Sequence, residues 1–219
     1  MDRKARARAG LVLGAALALV ALTDGLNATA AAPLPAGEEL VPNTVARISH
    51  VSERTGTITK AELRHGLVLA AVGEGLRRVP KSGGRRYERL ERIALDSLLE
   101  RIWVRGLAAE MDIAVTGRQV KRQLALIKQQ SFKSGAEYRQ FLRESRFTRR
   151  DVFERVEVEM LAERIQVRLQ RRIEREARNE YEEQKAFEEF VKEFNERWRS
   201  RTVCAPVYAT ERCSNGPPT

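Results

Sequence analysis

The stretch from Tyr87 to Met111 constrains this chain more than any other. Leu90, Ile93, Leu95, Leu98, Leu99, Ile102, Trp103, Val104 and Leu107 recur at spacings of three and four, the period of a helix. They cover more than half of a helical wheel, and an isolated surface helix cannot leave that much apolar surface in water. Glu88, Arg89, Glu91, Arg92, Glu100 and Arg101 fill the remaining face, no proline interrupts it, and Gly106, its only glycine, comes near the far end. At about 1.5 Å per residue the helix runs for roughly 35 Å or more, the diameter of a small domain. Other helices must cover it.

The rest of the chain can supply them. With 219 residues, 42% of them hydrophobic, there is enough for one core and too little for two. Aromatics are scarce at 6% and charges abundant at 32%, as in amphipathic helical proteins. The net charge of +10 comes from 40 basic against 30 acidic residues. Acid and base interleave along the helices, which predicts a solvated surface of i,i+4 pairs.

The N-terminus bears on the compartment. Arg3, Lys4, Arg6 and Arg8 precede an apolar run from Ala9 to Leu22, followed by Ala28-Thr29-Ala30. A basic segment, an apolar segment and a small-residue site describe a secretory signal peptide over 1–30, cut before Ala31. The apolar run is about 14 residues, against roughly 20 for a spanning helix, so an uncleaved anchor is the secondary reading and membrane contact would be transient. Removing residues 1–30 takes four basic and two acidic residues, leaving +8. A linker at 31–42, with Pro33 and Pro35, leads into a folded region over 43–215 and a short tail at 216–219.

Thr44 to Ser49 alternates like a strand, placing Val45, Arg47 and Ser49 on one face and Ala46 and Ile48 on the other. After a turn around Arg54-Thr55-Gly56, four helix starts carry one signature. In Thr59…Glu62, Thr116…Gln119, Ser134…Glu137 and Thr148…Asp151, a hydroxyl can accept the N–H three residues on, while the later side chain reaches back. The first opens a helix with Leu63, Leu67 and Ala70 or Ala71, ending near Gly73; residues 79–86 form a loop into the central helix. The second carries Val120, Leu124 and Ile127, and the third Tyr138, Phe141 and Leu142. The fourth carries Val152, Phe153, Val156, Met160, Leu161, Ile165 and Leu169. Residues 169–183 are polar without a breaker and read as a continuous or slightly kinked solvated helix. Phe187, Phe190, Val191, Phe194 and Trp198 then form a docking seam, followed by Cys204 and Cys213. The fold class expected is mainly α: a single multi-helix domain with a short N-terminal strand and a small C-terminal strand or disulfide loop.

The order and spacing of Ile58-Thr-Lys-Ala-Glu62, the Leu-rich helix, Ile113-Ala-Val-Thr-x-x-Gln-Val120, Ser131-Phe-Lys-Ser134, Tyr138-x-x-Phe-Leu142 and Thr148-x-x-Asp-Val152 resemble a known arrangement. It is that of the N-terminal chaperone domain of SurA-type and PrsA-type extracytoplasmic foldases. Phe190…Trp198-x-x-Arg-Thr-x-Cys204 resembles the C-terminal segment of actinobacterial members, which packs back onto that domain. Such foldases usually insert a parvulin prolyl isomerase domain between these parts. Here about 15 polar residues separate Leu169 from Phe187, too few for one, so the resemblance implies a polypeptide-binding module without isomerase activity.

Nothing marks an enzyme or a cofactor site. His50 and His65 sit on different elements without metal-ligand spacing. Gly83-Gly84 with Lys81, Arg85 and Arg86 lacks the spacing of a phosphate loop and reads as a linker. Eight residues separate Cys204 from Cys213, excluding a Cys-x-x-Cys motif; one structural disulfide is the simpler reading in an exported chain, two free thiols the other. Nucleic acid is not expected as a partner, given the export signal and the matching glutamates. The expected function is an exported, ATP-independent chaperone that holds unfolded polypeptides in an apolar groove between helices. The alternative is an envelope-associated adaptor for one folded partner or an anionic cell-surface polymer. Trp103, Phe132, Tyr138, Phe141, Phe147, Phe153 and Met160 are the client-binding candidates. Phe132 and Phe147 lead them because they fall on connections where little predicted structure would bury them.

Overall fold

A computed structural model describes residues 40–51 and 56–217. The expected signal peptide, most of the expected linker, Arg54 and Thr55 of the expected turn, and the end of the tail lie outside the described residues. The fold is mainly helical, with a three-stranded antiparallel sheet. The strands are β1 (Thr44–Ile48), β2 (Thr57–Thr59) and β3 (Thr202–Cys204), and the helices are α1 (Lys60–Gly73), α2 (Arg85–Glu110), α3 (Gly117–Ser131), α4 (Gly135–Ser145), α5 (Arg149–Glu176) and α6 (Glu180–Ser200). Among the described residues the chain divides into two compact units, one formed by residues 40–51, 56–106 and 184–217 and the other by 107–183.

In the first unit β1 is the middle strand, with Ala46 opposite both Ile58 and Cys204. A bulge between Thr44 and Ala46 breaks the alternation expected for this strand. An extra residue on one strand turns its side chain to the other face, so Val45 is buried beside Ala46 and Ile48 while Arg47 is exposed. Thr59 closes a complete capping box with Glu62 at the start of α1. That helix buries Leu63, Leu67 and Ala71.

On α2, Leu90, Ala94, Leu95, Leu99, Ile102 and Trp103 are buried. The seam expected on α6 meets this helix: the Trp103 and Phe194 rings are edge-to-face at 6.0 Å, and Phe194 lies 6.4 Å from both Phe190 and Trp198. Trp198 packs onto the α2 backbone at Gly106, so closely that a Cβ there would fall 2.0 Å from the indole. Glycine is required at that point by the approach itself. Thr202, fully buried, joins three elements. Its hydroxyl accepts from the Trp103 indole N–H at 3.0 Å and donates to the Trp198 carbonyl at 2.7 Å.

Cys204 and Cys213 form a disulfide. Asn215 of the segment that follows lies along β3, its side chain accepting from the Cys204 N–H at 3.1 Å and donating to the Cys204 carbonyl at 2.8 Å. Polar groups that an edge strand would leave open are thereby paired. A disulfide fits an oxidising, extracytoplasmic setting, and among the described residues no helix is long and apolar enough to cross a membrane.

In the second unit the end of α2 is closed by Asp112 in the left-handed conformation, with the Ile113 N–H donating to Ala108 O at 2.7 Å. Arg164 and Arg168 of α5 donate to the carbonyls of Ala114 and Met111 just beyond that helix, supplying partners that helix ends otherwise lack. Helices α3 and α5 pack together. Val120 and, along α5, Val152, Val156, Leu161, Ile165, Leu169 and Ile173 are buried, whereas Leu124 and Ile127 are only half-buried.

The polar segment after Leu169 is not one helix. It breaks at residues 177–179, where Ala177 is extended. The Asn179 side chain accepts the Glu182 N–H at 3.0 Å, and Glu182 accepts the Arg178 N–H at 2.8 Å. A side chain that caps a new helix competes with continuation of the old one, and Asn179…Glu182 is a fifth start signal of the kind seen four times upstream.

Candidate functional site

Four rings come together in the second unit through two tight connections. Phe132 directly follows α3 in an extended conformation, its N–H donating to Lys128 O. Two residues later Ser134 accepts the Glu137 N–H at 3.2 Å and starts α4. Glu137 accepts the Lys133 N–H at 2.6 Å instead of reaching back to Ser134, so this start carries half of the expected capping box, displaced by one residue. The short reversal brings Phe132 to 5.2 Å from Tyr138 and 5.4 Å from Phe141, ring to ring. Tyr138 and Phe141 are one helical turn apart on α4 and stack at 6.3 Å.

At the other end of α4, Arg146 is left-handed. Ser145 donates to Phe141 O at 2.7 Å and accepts the Phe147 N–H at 3.4 Å. This turn returns Phe147 to 6.2 Å from Phe141. Phe132, Phe141 and Phe147 are half-buried. Phe132 and Phe147 thus do lie on connections, but they are not loose there: each packs against α4 and keeps part of its ring in water.

Tyr138 is 8% exposed, and its hydroxyl is buried without a hydrogen-bond partner. Burial raises its pKa above the ordinary tyrosine value, partly offset by the Arg149 guanidinium. Lys128 Nζ stands 4.3 Å from the Tyr138 ring centroid, within cation–π range.

These two cations belong to a larger set. Residues 117–150 hold ten basic residues against two acidic ones, a net +8. Nine of the ten are exposed; only Lys128 is half-buried. Both acids are engaged locally, Glu137 with the Lys133 N–H and Glu144 with the Gln140 amide. The interleaving of acid and base expected throughout holds on the long helices, as in Arg155–Glu159 and Lys192–Glu196, and fails here. A local charge count over this helix–connection–helix segment is the signal that would have found it.

The remaining candidates lie elsewhere. Trp103 is a correction: 1% exposed, hydrogen-bonded to Thr202 and packed on Phe194, it belongs to the core of the first unit and has no surface to offer a client. Phe153 and Met160 are half-buried on α5, with Phe153 reaching the start of α3 at Gly117. Neither takes part in the ring contacts of the cluster. His50 is exposed and His65 half-buried. No family model, curated protein or solved structure matches the chain.

Proposed function

We propose that this protein is an exported, ATP-independent chaperone of the SurA and PrsA type without an isomerase domain, holding unfolded segments of other polypeptides. The observation that carries the reading is the half-buried cluster of Phe132, Phe141 and Phe147 over Tyr138. Rings that keep part of their surface in water can exchange it for apolar side chains of a client, and burying one such side chain contributes roughly 1.5–3 kcal/mol. A few partial contacts of that size give weak, reversible capture, which suits a holdase that works without nucleotide. Trp103 drops out of this site, and Phe153 and Met160, half-buried on α5, take no part in its ring contacts.

The test is the delay of aggregation of several unrelated unfolded proteins by the purified chain, without nucleotide. The expected result is a delay for most of them, reduced in Phe132→Ser/Phe147→Ser. Because both rings pack on α4, that variant is also expected to lose stability, so binding is compared below both melting temperatures. Failure to delay any client, with saturable binding to one folded partner or an anionic polymer, would replace this reading with the adaptor. A proline-peptide assay is expected to show no isomerase activity.

A further inference from the structure

We propose that the 117–150 surface selects clients by charge, binding unfolded segments in which Asp or Glu flanks an apolar or aromatic stretch. The proposal rests on the chaperone reading and narrows its substrate class. The rings and the cations share one helix–connection–helix segment: Lys128 lies over the Tyr138 ring, 4.3 Å from its centroid, and the exposed Lys133, Arg139, Arg143 and Arg146 are each one or two residues from Phe132, Tyr138, Phe141 or Phe147. A client side chain seated on Phe132, Phe141 or Phe147 therefore brings its neighbours among cations.

An extended chain advances about 3.3 Å per residue. Carboxylates two or three residues from the seated side chain stand within about 10 Å, the screening length at 0.1 M salt. Lys133, Arg139, Arg143 and Arg146, beside the rings in the chain, are exposed and form no ion pair among the described residues. Guanidinium groups without an internal carboxylate are open to bidentate contact with one from outside. The same field disfavours basic segments, so the surface discriminates as well as attracts.

An anionic polymer without apolar groups would use the cations and leave the rings idle. Nucleic acid could use both, but a disulfide fits an oxidising, extracytoplasmic setting, in which nucleic acid is not the expected partner. An acidic polypeptide with apolar side chains engages every part of the site.

The experiment uses the purified, disulfide-intact chain and three labelled, unstructured peptides read by fluorescence anisotropy. One carries an aromatic stretch flanked by Asp and Glu, the second the same stretch flanked by Asn and Gln, and the third the acidic flanks around Ser and Gly. At low salt the first is expected to bind about tenfold tighter than the second, with the ratio falling toward one at ~0.5 M salt. The variant K133Q/R139Q/R143Q/R146Q is expected to lose that ratio while binding the neutral peptide as before. Its circular dichroism and melting temperature, unchanged, exclude loss of fold. Equal affinity for the first two peptides at low salt would overturn the proposal and leave the chaperone reading standing. Equal affinity for the first and third would overturn it in favour of a general polyanion surface. Binding of none of the three would remove the chaperone reading and the proposal with it.

Discussion

Replacing Gly106 with alanine sets two well-measured effects against each other. In a helix interior the change ordinarily stabilises by about 1 kcal/mol, since alanine is the better helix former. At Gly106 the added Cβ would stand 2.0 Å from Cη2, 2.7 Å from Cζ3 and 2.8 Å from Cζ2 of Trp198. Carbon–carbon contacts settle at about 3.5–4.0 Å, so the indole must retreat by roughly 1.5 Å. It has little room to do so. Trp198 is fully buried, with Phe194 at 6.4 Å and the Arg201 guanidinium 5.0 Å from its ring. Overpacking alone costs about 1–3 kcal/mol, and expelling the ring approaches the 3–5 kcal/mol of a lost core tryptophan. Less the propensity gain, Gly106→Ala should destabilise by about 2–4 kcal/mol, read as a lower midpoint in urea unfolding. Gly73→Ala is the control: a Cβ there meets nothing within 4 Å, and the variant should gain up to about 1 kcal/mol. In a Trp198→Phe background, where the outer indole atoms are gone, Gly106→Ala should be milder, with a coupling of about 0.5–3 kcal/mol. If Gly106→Ala matches Gly73→Ala, the close approach of α2 to Trp198 is wrong.

Thr202→Val keeps the shape but leaves the Trp103 indole N–H buried without its acceptor; the expected loss is about 1–3 kcal/mol, read by urea titration, and Thr202→Ser should retain most of the stability. Reducing the Cys204–Cys213 disulfide should lower stability by roughly 2–3 kcal/mol on the chain-entropy account, and thiol labelling of the native protein should find no reactive cysteine. Asp96, which burial holds above the ordinary aspartate pKa with Arg212 opposing, has Oδ1 3.7 Å from that guanidinium and no hydrogen-bond partner. A folded pKa raised above the unfolded value means that the penalty is present at neutral pH and lifts as pH falls through the folded pKa toward the unfolded one. Asp96→Asn should therefore melt higher than wild type at pH 7, with the gap closing toward pH 4; a gap constant with pH would refute the assignment.

The features legible in the sequence were those fixed within a few residues. Thr59 with Glu62, Thr116 with Gln119 and Thr148 with Asp151 each decide a helix start through contacts three residues apart, and the helices begin where these pairs stand. Asn179 with Glu182 belongs to the same class and was legible too, had asparagine been read as a cap. The bulge that turns Val45 inward depends on pairing with β2 and leaves no periodic trace. The role of Thr202 depends on Trp103, some hundred residues earlier, and a lone threonine before a cysteine carries no mark of it. At the candidate site, Phe132, Tyr138, Phe141 and Phe147, singled out by residue type, lie together on α4 and its connections. Trp103 was misassigned because apolar periodicity says that a face is covered and not by what.

Strand β1 has consequences for how this protein comes into being. Its partners are β2, ten or so residues downstream, and β3, which is made only after about 150 further residues. A two-stranded pairing of this length is marginal in water by itself. While the polypeptide is being made from its amino terminus, β1 therefore waits as a half-matched strand until the last few dozen residues exist. The sheet, the threonine contacts to both tryptophans and the covalent link at Cys204 then become available together. Shortening the chain by its final twenty residues would remove the condition under which Val45, Ala46 and Ile48 acquire a stable place.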